Sequence, residues 1–460
     1  MLDVASIFLS VALLMFLAYR GISVLVLAPM LALFAVFMSG GEAFLAHYTQ
    51  IFMVKLGDFA TIYFPLFLLS AIFGKIMENS GYAASIADRI SEKIGAEKAV
   101  LAIVLSCSVL TYGGVSLFVV VFAVYPIAVE LFRKSDTPKK LMPAAIAIGS
   151  FTYTMTAVPG SPAIPNVIPC QYFGTNPFAA PGLGTVTAVI SFIFSMMWMN
   201  RRVKALKQAG EGYGDHCDNL MPASREKLPD FRVAIIPIVI VILMNYLCVN
   251  YIFPNIDTSY LQNEKYGTTD IRTVAGNWGI IVAVFFASIF ILAAAWKKTD
   301  IIRCINSGAS ESLAPIFNTA SVVGYGAVIN SLAGFAVVRD WILTVSHGNP
   351  LVSGSVATSI LSAITGSASG GMSIALESLG AKYLEMANAA GINPEALHRI
   401  VAVASGSLDI LPHNGAIITL LAICGLSHKE SYSDIFTGAL IGPTVAAVIA
   451  VGLAVIFGSF

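Results

Sequence analysis

Residues 111–116 read Thr111-Tyr-Gly-Gly-Val-Ser116, and residues 370–373 read Gly370-Gly-Met-Ser373. Each motif sits between apolar arms, and each is followed by a second apolar segment interrupted at Gly-Ser. Gly113, Gly114, Ser116, Gly149 and Ser150 recur as Gly370, Gly371, Ser373, Gly406 and Ser407, each 257 positions later (370 − 113 and 407 − 150 agree). Ala145 and Ala147 fall on Ala402 and Ala404 at the same offset. Small residues are common in this chain, so the weight lies in the shared order of parts: arm, Gly-Gly-x-Ser tip, arm, broken helix. Paired interrupted segments in two halves point to the binding site of a secondary transporter.

The rest of the chain fits a membrane. It is 57% hydrophobic and 11% charged, with mean hydropathy +0.82. Apolar runs at 2–19, 22–39, 181–200, 233–253, 277–296 and 438–458 approach or exceed the roughly 18–20 residues that cross a bilayer. No basic residue precedes the first run, so it is expected to stay as a helix rather than act as a signal peptide. Zero formal net charge gives no case for a nucleic-acid partner. The six cysteines are scattered singly without CxxC spacing, which suits reduced packing residues better than a disulfide or metal site.

Basic residues favour cytoplasmic loops. Arg201-Arg202 with Lys204 and Lys207, and Lys297-Lys298 with Arg303, are therefore placed inside, which puts the acidic loop 255–275 outside. The segment 79–98 and Arg133 to Lys140 then also fall inside, so the arms 99–111 and 116–133 must form a re-entrant hairpin. The expected fold is an all-α polytopic membrane protein of two inverted-topology repeats. Each has about five transmembrane helices, one re-entrant hairpin and one broken helix. The first repeat covers 1–200 (spans 2–19, 22–39, 60–78 and 181–200, hairpin 99–133, broken helix 141–170). A cytoplasmic linker, 201–232, is read as flexible around Gly210-Glu-Gly-Tyr-Gly-Asp. The second repeat covers 233–460, with hairpin 352–388 and broken helix 398–428. Five crossings is an odd number, so the second half must run inverted.

Irregular backbone at membrane depth survives only where it is buried in protein or lines a wet cavity. The breaks read Gly149-Ser-Phe-Thr-Tyr-Thr-Met-Thr-Ala-Val-Pro-Gly-Ser-Pro and Gly406-Ser-Leu-Asp-Ile-Leu-Pro-His-Asn-Gly. Pro159, Pro162 and Pro412 remove backbone donors, and Thr152, Thr154, Thr156, Ser161 and Asn414 supply polar groups. One such helix alone reads as a kink whose hydroxyls bond back to the preceding turn; two, each beside a hairpin, read as a site. Helix N-termini at tips and breaks attract anions. A small carboxylate bearing hydroxyls suits amides at Gly113, Gly114, Gly370 and Gly371 with hydroxyls at Ser116 and Ser373. Asp409 and His413 are the proton-coupling candidates, because ionisable groups inside spans are costly and functional. They lie four apart, on one face if the turn is helical. Glu377 and Glu385 rank behind them. Among the histidines, His413 alone is placed deep. Val323-Gly-Tyr-Gly326 resembles a potassium-filter core, but lies inside an apolar run and reads as helix-packing glycines matching Phe73-Gly74 at offset 250.

Thr111 to Phe122, Thr154 to Pro162 and Asp409 to Leu420 together resemble the gluconate permease (GntP) family of bacterial proton symporters, over most of the chain. That family is similar to the larger ion-transporter superfamily. The resemblance implies an inner-membrane carrier moving a small hydroxylated monocarboxylate with a proton, as a homodimer; the charge bias puts both termini on the periplasmic side, and no cofactor is expected. The wording of the first two motifs is closer to 3-hydroxybutyrate permeases than to gluconate carriers. Sodium coupling stays open, although neither break shows a clean Ser-Asn-Thr cluster. No HExxH, GxGD or DDxxD motif suggests an enzyme, and paired hairpins suit alternating access better than an open channel.

Overall fold

In lipid an apolar segment must satisfy its own backbone hydrogen bonds, and a helix does so within one strand of chain. The computed structural model describes residues 2–20, 22–216, 228–296, 300–345 and 348–460, and these form helices and turns with no strand among them. The polytopic all-α fold is therefore present. Among the described residues six helices are long and apolar enough to cross a membrane.

The first half opens with α1 (Leu2–Tyr19) and α2 (Val24–Met38). Next comes α3 (Phe44–Asn79), much longer than the expected span 60–78. Its 36 residues reach about 54 Å, so it must tilt or project beyond a hydrocarbon core of about 30 Å. The short helix α4 (Tyr82–Ile94) buries Tyr82, Ile86 and Ala87 on one side and meets the following helix at 105°. Then come α5 (Ala99–Tyr112) and α6 (Leu117–Lys134), the arms of the first hairpin. The first broken helix is α7 (Met142–Ser150), α8 (Tyr153–Thr156) and α9 (Ile168–Phe173). The half closes with α10 (Pro181–Gln208).

The second half repeats the order. It runs α11 (Phe231–Asn255) and α12 (Ile271–Ala294), then the long α13 (Ile301–Ser331) and the short α14 (Ala333–Val345). The hairpin arms are α15 (Pro350–Thr365) and α16 (Ala368–Ala389); the broken helix is α17 (Pro394–Ser405) and α18 (Gly415–Cys424). The last span is α19 (His428–Phe457). Equivalent long helices run antiparallel. A Cβ on Gly308 of α13 would meet Ile72 of α3, and one on Gly324 would meet Phe52, so numbers rise on one as they fall on the other. Val323 to Gly326 sit within this helix, and their glycines let α3 and α16 approach.

Three expectations change. Arg201, Arg202, Lys204 and Lys207 lie on α10, not in a linker. Residues 209–216 are strapped to the base of the first hairpin rather than hanging free. Glu211 pairs with Lys140, the Tyr213 amide donates to Asp136 Oδ1 at 2.8 Å, and Arg133 stands over the Tyr213 ring at 5.3 Å. At the far end of the connection, the Ser85 hydroxyl donates to the Pro229 carbonyl at 2.7 Å. Cys217, the linker stretch 217–227 and the anchor Lys297-Lys298 lie outside the described residues. The third change concerns the second hairpin's tip and belongs to the site.

Candidate functional site at the hairpin tips and helix breaks

The first hairpin turns where expected. Gly113 caps α5, Gly114 takes φ +83°, and Ser116 precedes α6. The second turns earlier than the Gly-Gly-x-Ser motif. Gly366 takes φ +59° and Ser367 is the N-cap of α16, its hydroxyl accepting from the Gly370 amide. Gly370 and Gly371 therefore lie in the first turn of α16, and Ser373 in the second, where its hydroxyl donates to the Ser369 carbonyl at 2.7 Å. The structural offset between tips is 252 (366 − 114), not 257. The misreading has a physical source. Gly371 is a close-approach residue between the arms, where a Cβ would lie 2.2 Å from the Ser362 nitrogen, and it resembles a tip glycine only in sequence.

Each tip docks on the break of its own half. A Cβ on Gly114 would stand 3.2 Å from Pro162, and one on Gly366 would stand 2.8 Å from the His413 ring. The Tyr112 hydroxyl donates to the Pro159 carbonyl at 2.8 Å, tying the first tip to the first break. The two breaks also touch, since a Cβ on Gly406 would meet Thr156 at 2.8 Å. Tips and breaks of both halves thus form one contiguous region inside the bundle.

The two halves of this region differ in what they leave open. Asn414 caps α18, its Oδ1 accepting from the Ala416 and Ile417 amides at 2.7 and 3.3 Å. Ser367 caps α16 in the same way. At α6 the N-cap Ser116 makes no side-chain cap bond, so the first-turn amides keep their donors for another acceptor. Thr152, Thr154 and Thr156 are less available than expected. Their hydroxyls donate to Ile148, Gly149 and Thr152 carbonyls at 2.6, 2.9 and 3.3 Å. Only their lone pairs remain. Ser161 is fully buried beside Pro162.

The second half holds the ionisable groups. Residues 406–414 are not helical, so the i, i+4 relation assumed for Asp409 and His413 does not apply. No hydrogen bond joins them. Instead both turn toward the second tip: Asp409 stands by the Ala368 amide, and His413 lies against Gly366. Asp409 Oδ1 and His413 Nε2 are buried with no partner among the described residues, an arrangement that calls for a proton, an ion or a ligand. No group of three or more metal-ligating side chains occurs among the described residues.

Glu377 lies elsewhere. Its carboxylate pairs with Lys55 of α3 at 2.7 Å and accepts from the Tyr172 hydroxyl at 3.2 Å. The three line a cavity of about 290 Å³ between α3, α9 and α16 that none of the tip residues reaches. Glu385 pairs with Lys382 on an exposed surface. His398, near the start of α17, is fully buried, with Thr175 Oγ1 2.6 Å from its Nδ1. Its neighbour Arg399, also fully buried, is the residue the sequence reading passed over. The signal was present, an arginine beside His398 at the head of the apolar run Ile400 to Ala404.

Residues 2–456 match the profile of the GntP family permeases. The chain belongs to this family. A curated relative, the uncharacterized transporter YxjC of Bacillus subtilis, is 43% identical over 98% of both chains. An uncharacterized transporter of Haemophilus influenzae is 28% identical over 38% of this chain and 40% of its own. Among solved structures, the YdaH transporter of Alcanivorax borkumensis matches 90% of both chains at 13% identity, with a TM-score of 0.56, and so shares the fold. This GntP-family chain is a multi-pass membrane permease.

Proposed function

We propose that this permease carries a small hydroxylated monocarboxylate, of the 3-hydroxybutyrate or gluconate kind, together with a proton, by elevator-type alternating access. In this reading it works as a homodimer in a bacterial inner membrane, with both termini outside. One observation carries the proposal: the joined tip-and-break region has an uncapped helix N-terminus in one half, and in the other one carboxylate oxygen of Asp409 and one ring nitrogen of His413 buried without a partner. The α6 amides, with the Ser116 hydroxyl, suit a carboxylate. Asp409 and His413 suit the proton that travels with it. Hydroxyl recognition falls to Ser161 and the Asn414 region. Gly371 acts from behind the tip, by letting the hairpin arms close, and Gly370 and Ser373 lie with it in the first turns of α16.

A monoanion moving with one proton carries no net charge, so a pH gradient drives it and membrane potential does not. Each pH unit is worth about 1.4 kcal/mol, or roughly tenfold accumulation. The test is uptake of labelled 3-hydroxybutyrate, gluconate and related acids into proteoliposomes under an imposed pH gradient, with sodium or choline outside. Uptake that follows the gradient in choline supports the proposal. Uptake that ignores the gradient and demands sodium replaces the proton with sodium; no uptake of any acid removes the substrate class.

A further inference from the structure

The same asparagine clamp occurs in both breaks. Asn414 Nδ2 donates to the carbonyl five residues back, Asp409 O, at 2.9 Å. Asn166 Nδ2 donates to the carbonyl five residues back, Ser161 O, also at 2.9 Å, and to Pro177 O at 2.9 Å. The clamps differ in what holds the amide oxygen. Asn414 Oδ1 rests on the N-terminal amides of α18, a ten-residue helix. The helix after Asn166, α9, is only six residues long and has Pro169 in its first turn, so it offers little of a positive pole. There, Asn166 Oδ1 accepts from Arg399 Nη1 at 2.7 Å.

Arg399 comes from the other half of the molecule and is spent entirely on this task. Its Nε donates to Ala179 O at 3.0 Å, and Nη1 also donates to Thr156 O at 3.3 Å. Nη2 donates to Pro177 O and Ala179 O at 3.1 and 2.7 Å. All five guanidinium protons are used and every acceptor is neutral; Glu395, one turn earlier, gives its carboxylate to the Ala180 amide instead. A buried cation persists only when every donor is matched, and here the matching groups are the Thr156 carbonyl and the Asn166 side chain in the first break and the Pro177 and Ala179 carbonyls in the loop that follows α9. Arg399 cannot ligand a substrate, because no proton is left over.

We propose that Arg399 is a positioning residue that takes the place of a helix N-terminus in the first break. Through Asn166 it fixes Ser161 and Pro162 beneath the Gly114 tip, and so sets the geometry of the substrate site. The link to substrate rests on the transport reading above; the link to backbone order does not.

Two measurements separate them. Hydrogen exchange of residues 157–167 in the reconstituted protein needs no substrate. In Asn166→Ala and Arg399→Lys this segment should exchange roughly tenfold faster or more, since each leaves a buried partner unmatched, while 406–416 stays at the wild-type rate. Unchanged exchange in 157–167 overturns the positioning role. In uptake of labelled 3-hydroxybutyrate, or whichever acid the panel shows wild type to carry, both variants should raise KM with Vmax per molecule retained. The double variant should be no worse than the more severe single one, because both act along one path. Multiplied KM effects, or a normal KM with a loosened segment, overturn the link to substrate. If Arg399→Lys fails to reach the membrane, Asn166→Ala decides both points alone. Wild type carrying no acid at all sinks the transport reading and leaves the exchange result standing.

Discussion

At Asp409 one carboxylate oxygen is buried without a partner, and across the second tip His413 Nε2 is in the same condition. A buried polar atom with no acceptor or donor is costly by about 1–3 kcal/mol, and a membrane protein that keeps two at one tip needs them for something that comes and goes. A proton shuttled with the substrate satisfies that description. Asp409→Asn keeps the shape and removes the titration; His413→Ala removes the ring but leaves Gly366 room. Both variants should lose pH-driven accumulation while still exchanging internal for external substrate, because exchange moves no net proton. Counterflow assays on the two variants beside the pH-gradient assay check this. Retained pH-driven uptake in both would move the proton to another group, and Glu377 would inherit the role only if its Lys55 pair opens.

Hairpins and breaks show which parts of the sequence could be read and which could not. Apolar length, proline and glycine are local signals, so the existence of two hairpins and two interrupted helices followed from Pro159, Pro162, Pro412 and the Gly-Gly motifs. Tip register is not local. Gly371 serves the close packing of α15 on α16, and only the folded arms distinguish that use from the left-handed turn at Gly366. Arg399 escaped for a related reason: its partners lie more than two hundred positions away in the first half. The two kinds of glycine predict different outcomes. Gly371→Ala places a methyl 2.2 Å from the Ser362 backbone nitrogen, and forcing the arms apart should cost about 1–3 kcal/mol. Gly57, mid-helix in α3, has nothing within 4 Å of an added Cβ, so Gly57→Ala should gain up to about 1 kcal/mol of helix propensity. Thermal melts of the two variants in one detergent should move in opposite directions. A Gly371→Ala protein as stable as wild type would contradict the packing assignment.

For the whole molecule, antiparallel α3 and α13 form the core seam, and each hairpin leans on one of them. Gly74 of α3 packs on Ser116 and Val119 of the first hairpin, and Gly326 of α13 packs on Ile374 of the second. An inverted repeat of this form should expose its two tips to opposite sides. Cysteines at 113–116 should react with impermeant reagent from the face of the 209–230 connection, and cysteines at 366 or 367 from the face of the termini. Tips that label from one side only would overturn the inversion.

The proposed elevator movement would have a local consequence at the Lys55–Glu377 pair, which joins α3 to the second arm of a hairpin that would slide along it. Under that proposal the pair would part in each cycle. Its side chains are 40% and 21% exposed, so its worth is that of a partly solvated ion pair, roughly 0–1 kcal/mol. If the pair holds the resting state, removing it lowers the barrier by at most that amount, or up to about fivefold in turnover. Lys55→Met with Glu377→Gln should therefore raise Vmax modestly and leave KM near the wild-type value, since neither residue touches the tips. Single variants should be less benign, because Glu377 without Lys55 leaves its charge in the cavity with only Tyr172 to meet it. Initial rates in proteoliposomes across these three variants decide the matter. A double variant slower than both singles would mean the pair supports the moving state rather than the resting one.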